Sequence, residues 1–209
     1  MKTGNYGHFI MTIIGSPALI RLICHPRYYA RQTRLFMVLH YDLYSGFFDN
    51  LLPEENARAV LTQDKDFEHT DSFSLLAYYG QESAGALTLL KADETITNRG
   101  ELSLTFAELN QRIGRLPIAP LSSPHAKRMS LAGAQHKMAV IYRDGHLFEP
   151  IGNTLSTHIL KPDHRHPEHY PHTAVNEWFV MQLAKDCGLN VPLTYFRQVP
   201  DPIFIIERF

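Results

Sequence analysis

Four groups of residues in this sequence have types and spacings that could do chemistry. The first is Ser130-Leu131-Ala132-Gly133-Ala134-Gln135-His136-Lys137, a run of small residues along which backbone can approach a ligand and offer N–H groups to phosphate. One glycine between two alanines is not the spacing of a glycine-rich nucleotide loop, so the same run also reads as an ordinary tight turn into a strand. The second group is Lys161, at the end of the apolar stretch Thr157-His158-Ile159-Leu160, together with Glu177 on a downstream helix. Val180, Met181 and Ala184 follow Glu177 at helical spacing, which puts its carboxylate on an apolar side where ionisation is costly without a partner. Lys161 is the natural partner, and such a pair can hold a cation against nucleotide phosphates. A structural salt bridge, or Glu177 turned to water, fits the same spacing. The third group is Ile205-Ile206-Glu207-Arg208-Phe209, an apolar strand stopping on an acid and an aromatic, which suits either a hinge beside a flat ring or a frayed edge strand. The fourth is the histidine series 158, 164, 166, 169 and 172. Pro162, Pro167, Pro171, Asp163, Arg165 and Glu168 are interspersed with it, a composition of solvated loop rather than of a rigid zinc-ligand set, so no metal site is expected.

The elements that must position these residues can be read from periodicity. Lys137 to Tyr142 alternates as a strand, Asp144-Gly145 is a hairpin turn, and Leu147-Phe148-Glu149 is the return strand. Thr154 to Leu160, Leu193 to Val199 and Pro202 to Arg208 read as three more strands. Ala174 to Cys187 is a helix, with Thr173 at its start and Gly188 just past its end. Before residue 120 the signals are helical: Pro53-Glu54-Glu55 opens a helix through Leu61, Asp71-Ser72 caps another, and Thr105 to Ile113 forms a third. The stretch 116–124, with Pro117, Pro120 and Pro124, reads as a linker. The fold class expected is α/β in the α+β sense: a helix-rich part over 1–120, then an antiparallel sheet with one long helix over 121–209.

Composition excludes several classes. The 209 residues carry 20 Lys+Arg against 21 Asp+Glu, a formal charge of −1, so no overall field draws the protein to nucleic acid or anionic membrane. Two cysteines, Cys24 and Cys187, form neither a disulfide framework nor a zinc spacing, which fits a reducing, cytoplasmic setting. Phe9 to Cys24 is too short and too interrupted to span a bilayer of about 20 residues' depth, and no membrane association is expected.

Taken together these residues resemble the N-terminal part of a HipA-type serine/threonine toxin kinase of a type II toxin–antitoxin module. Met129 to Lys137 is similar to the family's Ser-x-Ala-Gly-Ala-Gln-x-Lys loop, and Thr157 to Lys161 to its lysine strand. Asn176-Glu177 is similar to its helix motif, Gly188-Leu189-Asn190-Val191-Pro192 to the following turn, and Glu207-Arg208-Phe209 to the start of Glu-Arg-Phe-Asp-Arg. Upstream, Phe47 to Glu54 and Gly85-Ala86-Leu87 resemble the small domain that precedes the kinase. The resemblance implies a small kinase lobe binding ATP with Mg²⁺. Ala132, Gly133, Ala134, Gln135, His136 and Lys137 would lie over the phosphates. Lys161 would contact them, Glu177 would orient Lys161, and Glu207, Arg208 and Phe209 would line the adenine side. Ser130 would be the autophosphorylated serine. The implied partner is a HipB-like helix-turn-helix antitoxin, with DNA reached only through it.

Two departures shape the functional expectation. Residues 1–45 do not look like the hairpins expected there. The sequence also stops before the large lobe that holds the family's catalytic and metal-binding aspartates, and no Asp-x-x-x-x-Asn follows Glu177. The expectation is therefore a truncated toxin kinase, inactive alone and weak in ATP binding, with a separate chain as the source of the missing lobe. The alternative is a non-catalytic, antitoxin-like module that restrains a separate kinase.

Overall fold

The computed structural model describes residues 7–14, 20–24, 36–40, 46, 48–54, 57–59, 62, 72–83, 87–91, 98–123, 129–152 and 154–208. In chain order these form β1 (Gly7–Ile14), β2 (Ile20–Cys24), β3 (Phe36–His40), α1 (Ser72–Tyr79), β4 (Glu82–Ser83), β5 (Leu87–Lys91), β6 (Arg99–Leu104), α2 (Phe106–Gly114) and β7 (Met129–Ser130). There follow β8 (Met138–Arg143), β9 (His146–Gly152), β10 (His158–Pro162), α3 (Thr173–Asp186), β11 (Thr194–Val199) and β12 (Asp201–Glu207). The chain divides into two compact units, one of Met1–Ile96 with Arg128–Ala134, the other of Thr97–Lys127 with Gln135–Phe209.

The first unit carries more strand than its sequence suggests. Its four-stranded sheet has the order β3-β1-β2-β5, with β1 antiparallel to β2 (Gly7↔Cys24 to Met11↔Ile20) and parallel to β3. The segment before residue 45 thus does supply a hairpin, which its sequence does not announce. Helix α1 packs on β5, and Leu75, Leu76 and Leu89 are fully buried. Just past that helix only glycine fits at position 80, because a Cβ there would stand 2.5 Å from the Leu76 carbonyl oxygen and 2.8 Å from Leu89 Cβ. Of the helix expected from Pro53, residues Ala57, Arg58, Ala59 and Thr62 are helical, whereas Pro53 itself sits in a strand-type bridge.

The second unit is built on a six-stranded antiparallel sheet of order β11-β12-β10-β8-β9-β6. Central strands are apolar on both faces, as in Met138-Ala139-Val140 and Ile203-Phe204-Ile205, while the edge strand β6 alternates in exposure. The β8–β9 hairpin closes over Asp144-Gly145 with φ of 51° and 78°, the pair of positive angles that a two-residue turn of type I′ requires. Helix α2, which the sequence assigns to the first part, lies in this unit with Leu109 and Ile113 buried. The expected linker is likewise not loose. Leu116 and Leu121 are buried, and the Leu121 carbonyl accepts from Arg112 Nη1 at 2.8 Å. Glu149, 1% exposed, accepts from the Ser123 N–H at 2.7 Å and pairs with Arg112 at 2.9 Å, so its charge is compensated where it is buried.

Candidate functional site

Lys161 stands in β10 opposite Phe204 of β12, with its ammonium 5.8 Å from the centre of that ring. Its Nζ donates to Glu177 Oε2 at 2.6 Å, and the two side chains are 24% and 32% exposed. A local device ties the strand to the helix that presents Glu177. Two residues beyond Lys161, the Asp163 carboxylate accepts from the Ala174 N–H at 2.8 Å and from Thr173 Oγ1 at 3.3 Å. It thereby caps α3 from outside, where His172, at φ 55°, offers no side-chain cap of its own. Glu177 lies one helical turn after Ala174, so the segment that carries the lysine also fixes the start of the helix that carries the glutamate. Asp163 was not among the residues singled out from sequence. An acid two positions after a strand lysine, followed ten residues on by a threonine at a helix start, is the signal that could have found it.

The remaining candidates fall in several places. Gln135 donates through Nε2 to the Pro162 carbonyl at 3.0 Å, which anchors the second half of the small-residue loop beside Lys161. His136 is partly buried, and burial, then the charges of His164 and Arg165, hold its pKa below 6.5. Lys137 is partly exposed. Ala132, Gly133 and Ala134 belong to the first unit, where Gly133 adopts φ 102°. Ser130 lies in β7. Glu207 ends β12 opposite His158, and its N–H donates to the Leu193 carbonyl at 2.9 Å. Arg208 is turned inward: its Nη1 donates to Ser156 Oγ, and its N–H to the Thr157 carbonyl at 2.9 Å. Its guanidinium therefore braces the strand ends, and its N–H is engaged in the same region. Phe209 lies outside the described residues.

The histidine loop is internally bonded. The His166 N–H donates to His164 Nδ1 at 3.2 Å, the His164 and Tyr170 rings are 4.5 Å apart, and His166 pairs with Glu168 at 3.2 Å. Among the described residues no three His, Cys, Asp or Glu side chains are grouped as metal ligands would be. Lys161 and Glu177 thus form a fixed, part-exposed ion pair at the end of β10. Mg²⁺ is held by carboxylates and nucleotide phosphates together, and the Glu177 carboxylate is already engaged by Lys161, so it does not fit as a ligand to that ion. An open cleft of about 310 Å³ is lined by Ile113, Asp163, His164, Arg165, Pro167, Asp201 and Pro202, and its lining includes neither member of the pair. No helix among the described residues is long and apolar enough to cross a membrane.

An antiparallel sheet carrying a strand lysine held by a glutamate of a long helix is an arrangement also found in the small lobe of protein kinases. The chain belongs to the HipA family: residues 129–209 match the HipA-like C-terminal domain, and residues 26–90 match the HipA N-terminal domain. It is 30% identical over 148 residues to the serine/threonine-protein kinase toxin HipA of Shewanella oneidensis, a match covering 70% of this chain and 33% of that protein. It is 37% identical over 171 residues to "Putative kinase Y4mE" of Sinorhizobium fredii, covering 78% of this chain and 40% of that one. Among solved structures it is similar to a chain of the Shewanella oneidensis HipA, HipB and operator DNA complex, with TM-score 0.62 and 26% identity over 78% of this chain and 38% of that one. The chain thus spans at most 40% of the length of these relatives.

Proposed function

We propose that this chain is the ATP-side portion of a HipA-type toxin serine/threonine kinase. The observation that carries the reading is the 2.6 Å pair between Lys161 and Glu177, on a strand and a helix that Asp163 locks together. Lys161 contacts nucleotide phosphate, Glu177 keeps it in place, and Glu207, Arg208 and Phe209 are proposed for the adenine side, the first two through their carbonyls because their N–H groups are bonded within the protein. Ala132 to Lys137 are proposed as the N–H donors over the phosphates and Ser130 as a phosphorylated serine. These loop residues are divided between the two units, so the reading rests on Lys161 and Glu177, which lie within one.

The 209 residues hold no Asp-x-x-x-x-Asn after Glu177, so nothing in them takes the part of a substrate-aligning aspartate. Nucleotide contact is the part of the reaction that these residues support. A HipB-like antitoxin is the proposed protein partner, supported by the complex in which the similar HipA was solved, with DNA reached through that partner. The proposed setting is the cytoplasm.

Affinity labelling tests the reading even where binding is weak. An ATP acyl phosphate, which acylates a lysine lying against the phosphates, should label Lys161, with excess ATP suppressing the reaction and Glu177→Ala reducing it several-fold. Labelling spread over surface lysines, unaffected by ATP, would remove Lys161 from the nucleotide site.

A further inference from the structure

The small-residue loop is gripped, along its first half, by backbone of the first unit. β7 pairs in parallel with β4 through Glu82↔Met129 and Ser83↔Ser130. Three residues beyond Ser130, Gly133 forms a parallel bridge with Pro53, and the Glu54 N–H donates to the Gly133 carbonyl at 3.3 Å. Gly133 stands at φ 102°, a conformation that side-chain-bearing residues rarely adopt, so the turn that aims this carbonyl at Glu54 is one glycine makes without strain.

The gripping segment is braced in turn. Leu52 is fully buried, Pro53 is buried, and the Leu52 N–H donates to the Asp49 carbonyl at 3.0 Å. The Asp49 carboxylate accepts from Ser72 Oγ, in the first residue of α1, and from Arg58 Nη1 at 2.8 Å, while Arg58 Nη2 reaches Ser72 Oγ at 3.0 Å. A chain of bonds therefore runs from α1 through Asp49 and Leu52 to the Gly133 carbonyl, all within one unit.

We infer that the backbone of Pro53, Glu54, Glu82 and Ser83 is a clamp that sets the position of residues 129–134, making the upstream unit a positioning element of the loop. Its link to nucleotide rests on the reading proposed above; the clamp itself does not. Because the grip is main-chain, the Glu54 side chain, which is exposed, is dispensable, and the N–H is not. Anything that binds the first unit and favours the clamped loop is, by reciprocity, itself favoured when the loop is held by a ligand.

Glu54→Pro deletes that N–H, at a place where proline is tolerated in a first helical turn, whereas Glu54→Ala keeps it. Hydrogen–deuterium exchange of the full chain, read by mass spectrometry, should show residues 129–134 exchanging about tenfold faster or more in Glu54→Pro, with β8 and β12 unchanged and Glu54→Ala within about twofold of the parent. Equal exchange of 129–134 in a folded Glu54→Pro chain overturns the clamp. If that variant does not fold, the parent decides: protection of 129–134 that disappears at the same urea concentration as that of α1 supports the clamp, and exchange at the rate of an unstructured peptide overturns it. Acyl phosphate labelling of Lys161 is a separate readout, so loss of labelling with the exchange effect intact would remove the nucleotide reading and leave the clamp.

Discussion

Separating the Lys161–Glu177 pair should show an energetic coupling larger than that of a surface ion pair and smaller than that of a fully buried one. The donor and acceptor lie 2.6 Å apart, and the side chains are about three-quarters and two-thirds shielded from water. Exposed pairs are worth about 0.2–1 kcal/mol and hydrogen bonds to charged groups about 1.5–3 kcal/mol, so the coupling here should be about 1–2 kcal/mol. Lys161→Met and Glu177→Met each keep an unbranched stem of similar reach, so packing against Phe204 is largely retained. Each single change leaves its partner's charge half-buried and unpaired, and the double change removes both charges, so it should cost less than the sum of the two. The protein has one tryptophan, Trp178, next to Glu177 and with its ring 6.2 Å from that of Phe196 on β11. Its fluorescence reports unfolding of the second unit in urea. A double-mutant cycle read this way gives the coupling directly. A value below about 0.3 kcal/mol would show the two side chains to be independent, and the positioning role assigned to Glu177 would fall with it.

Three further outcomes follow from the same structure. Gly152→Ala places a Cβ 2.2 Å from both the backbone and side-chain oxygens of Asn98 at a residue with φ 55°, so the second unit should lose about 2–4 kcal/mol; a melting temperature within about 2 °C of the parent would contradict this. Glu149→Gln leaves Arg112 without its buried carboxylate partner and should cost about 2–4 kcal/mol by urea unfolding, whereas Glu101→Gln, on the exposed pair with Arg143, should cost under about 1 kcal/mol. Burial holds His158 below 6.5, only partly opposed by Glu207, and His136 is lowered for the same reason. The unfolded chain then binds more protons, so stability is complete above about pH 6.5 and falls as pH drops from there through the folded values. Unfolding free energies measured from pH 7.5 to 5 should show that slope, shallower in His158→Gln, and a stability that rises on acidification would contradict the assignment.

Much of the second unit was legible because its signals are local. Asp144-Gly145 fixed the hairpin, the apolar runs 137–142 and 202–208 gave central strands, and Gly188 marked the end of α3. The lysine–glutamate pair could be named because an acid at helical spacing from Val180, Met181 and Ala184 needed a cation. That same spacing misled about the helix surface. Phe179, Val180 and Leu183 are 60%, 58% and 51% exposed, so the apolar residues of α3 do not all face the sheet. Strand β6 was missed because its sequence is polar on one face and its partner β9 begins more than 40 residues later, a pairing that no local pattern reports. The return of 129–134 to the first unit was invisible for another reason: it is made by backbone bonds, which leave no trace in side-chain periodicity. Arg208 shows the remaining gap, since only the structure reveals that its guanidinium turns inward to Ser156.

The most direct test of the account is an ATP titration of the purified chain followed by NMR, with Lys161→Ala alongside. Lone charge contacts in a part-exposed site contribute too little to offset immobilisation of a nucleotide, so binding should be weak, with a Kd of about 1 mM or higher. Shifts at Lys161, Glu177 and the 132–137 loop should saturate in the millimolar range and vanish in Lys161→Ala. Shifts that persist unchanged in Lys161→Ala, or that spare these residues altogether, would contradict it.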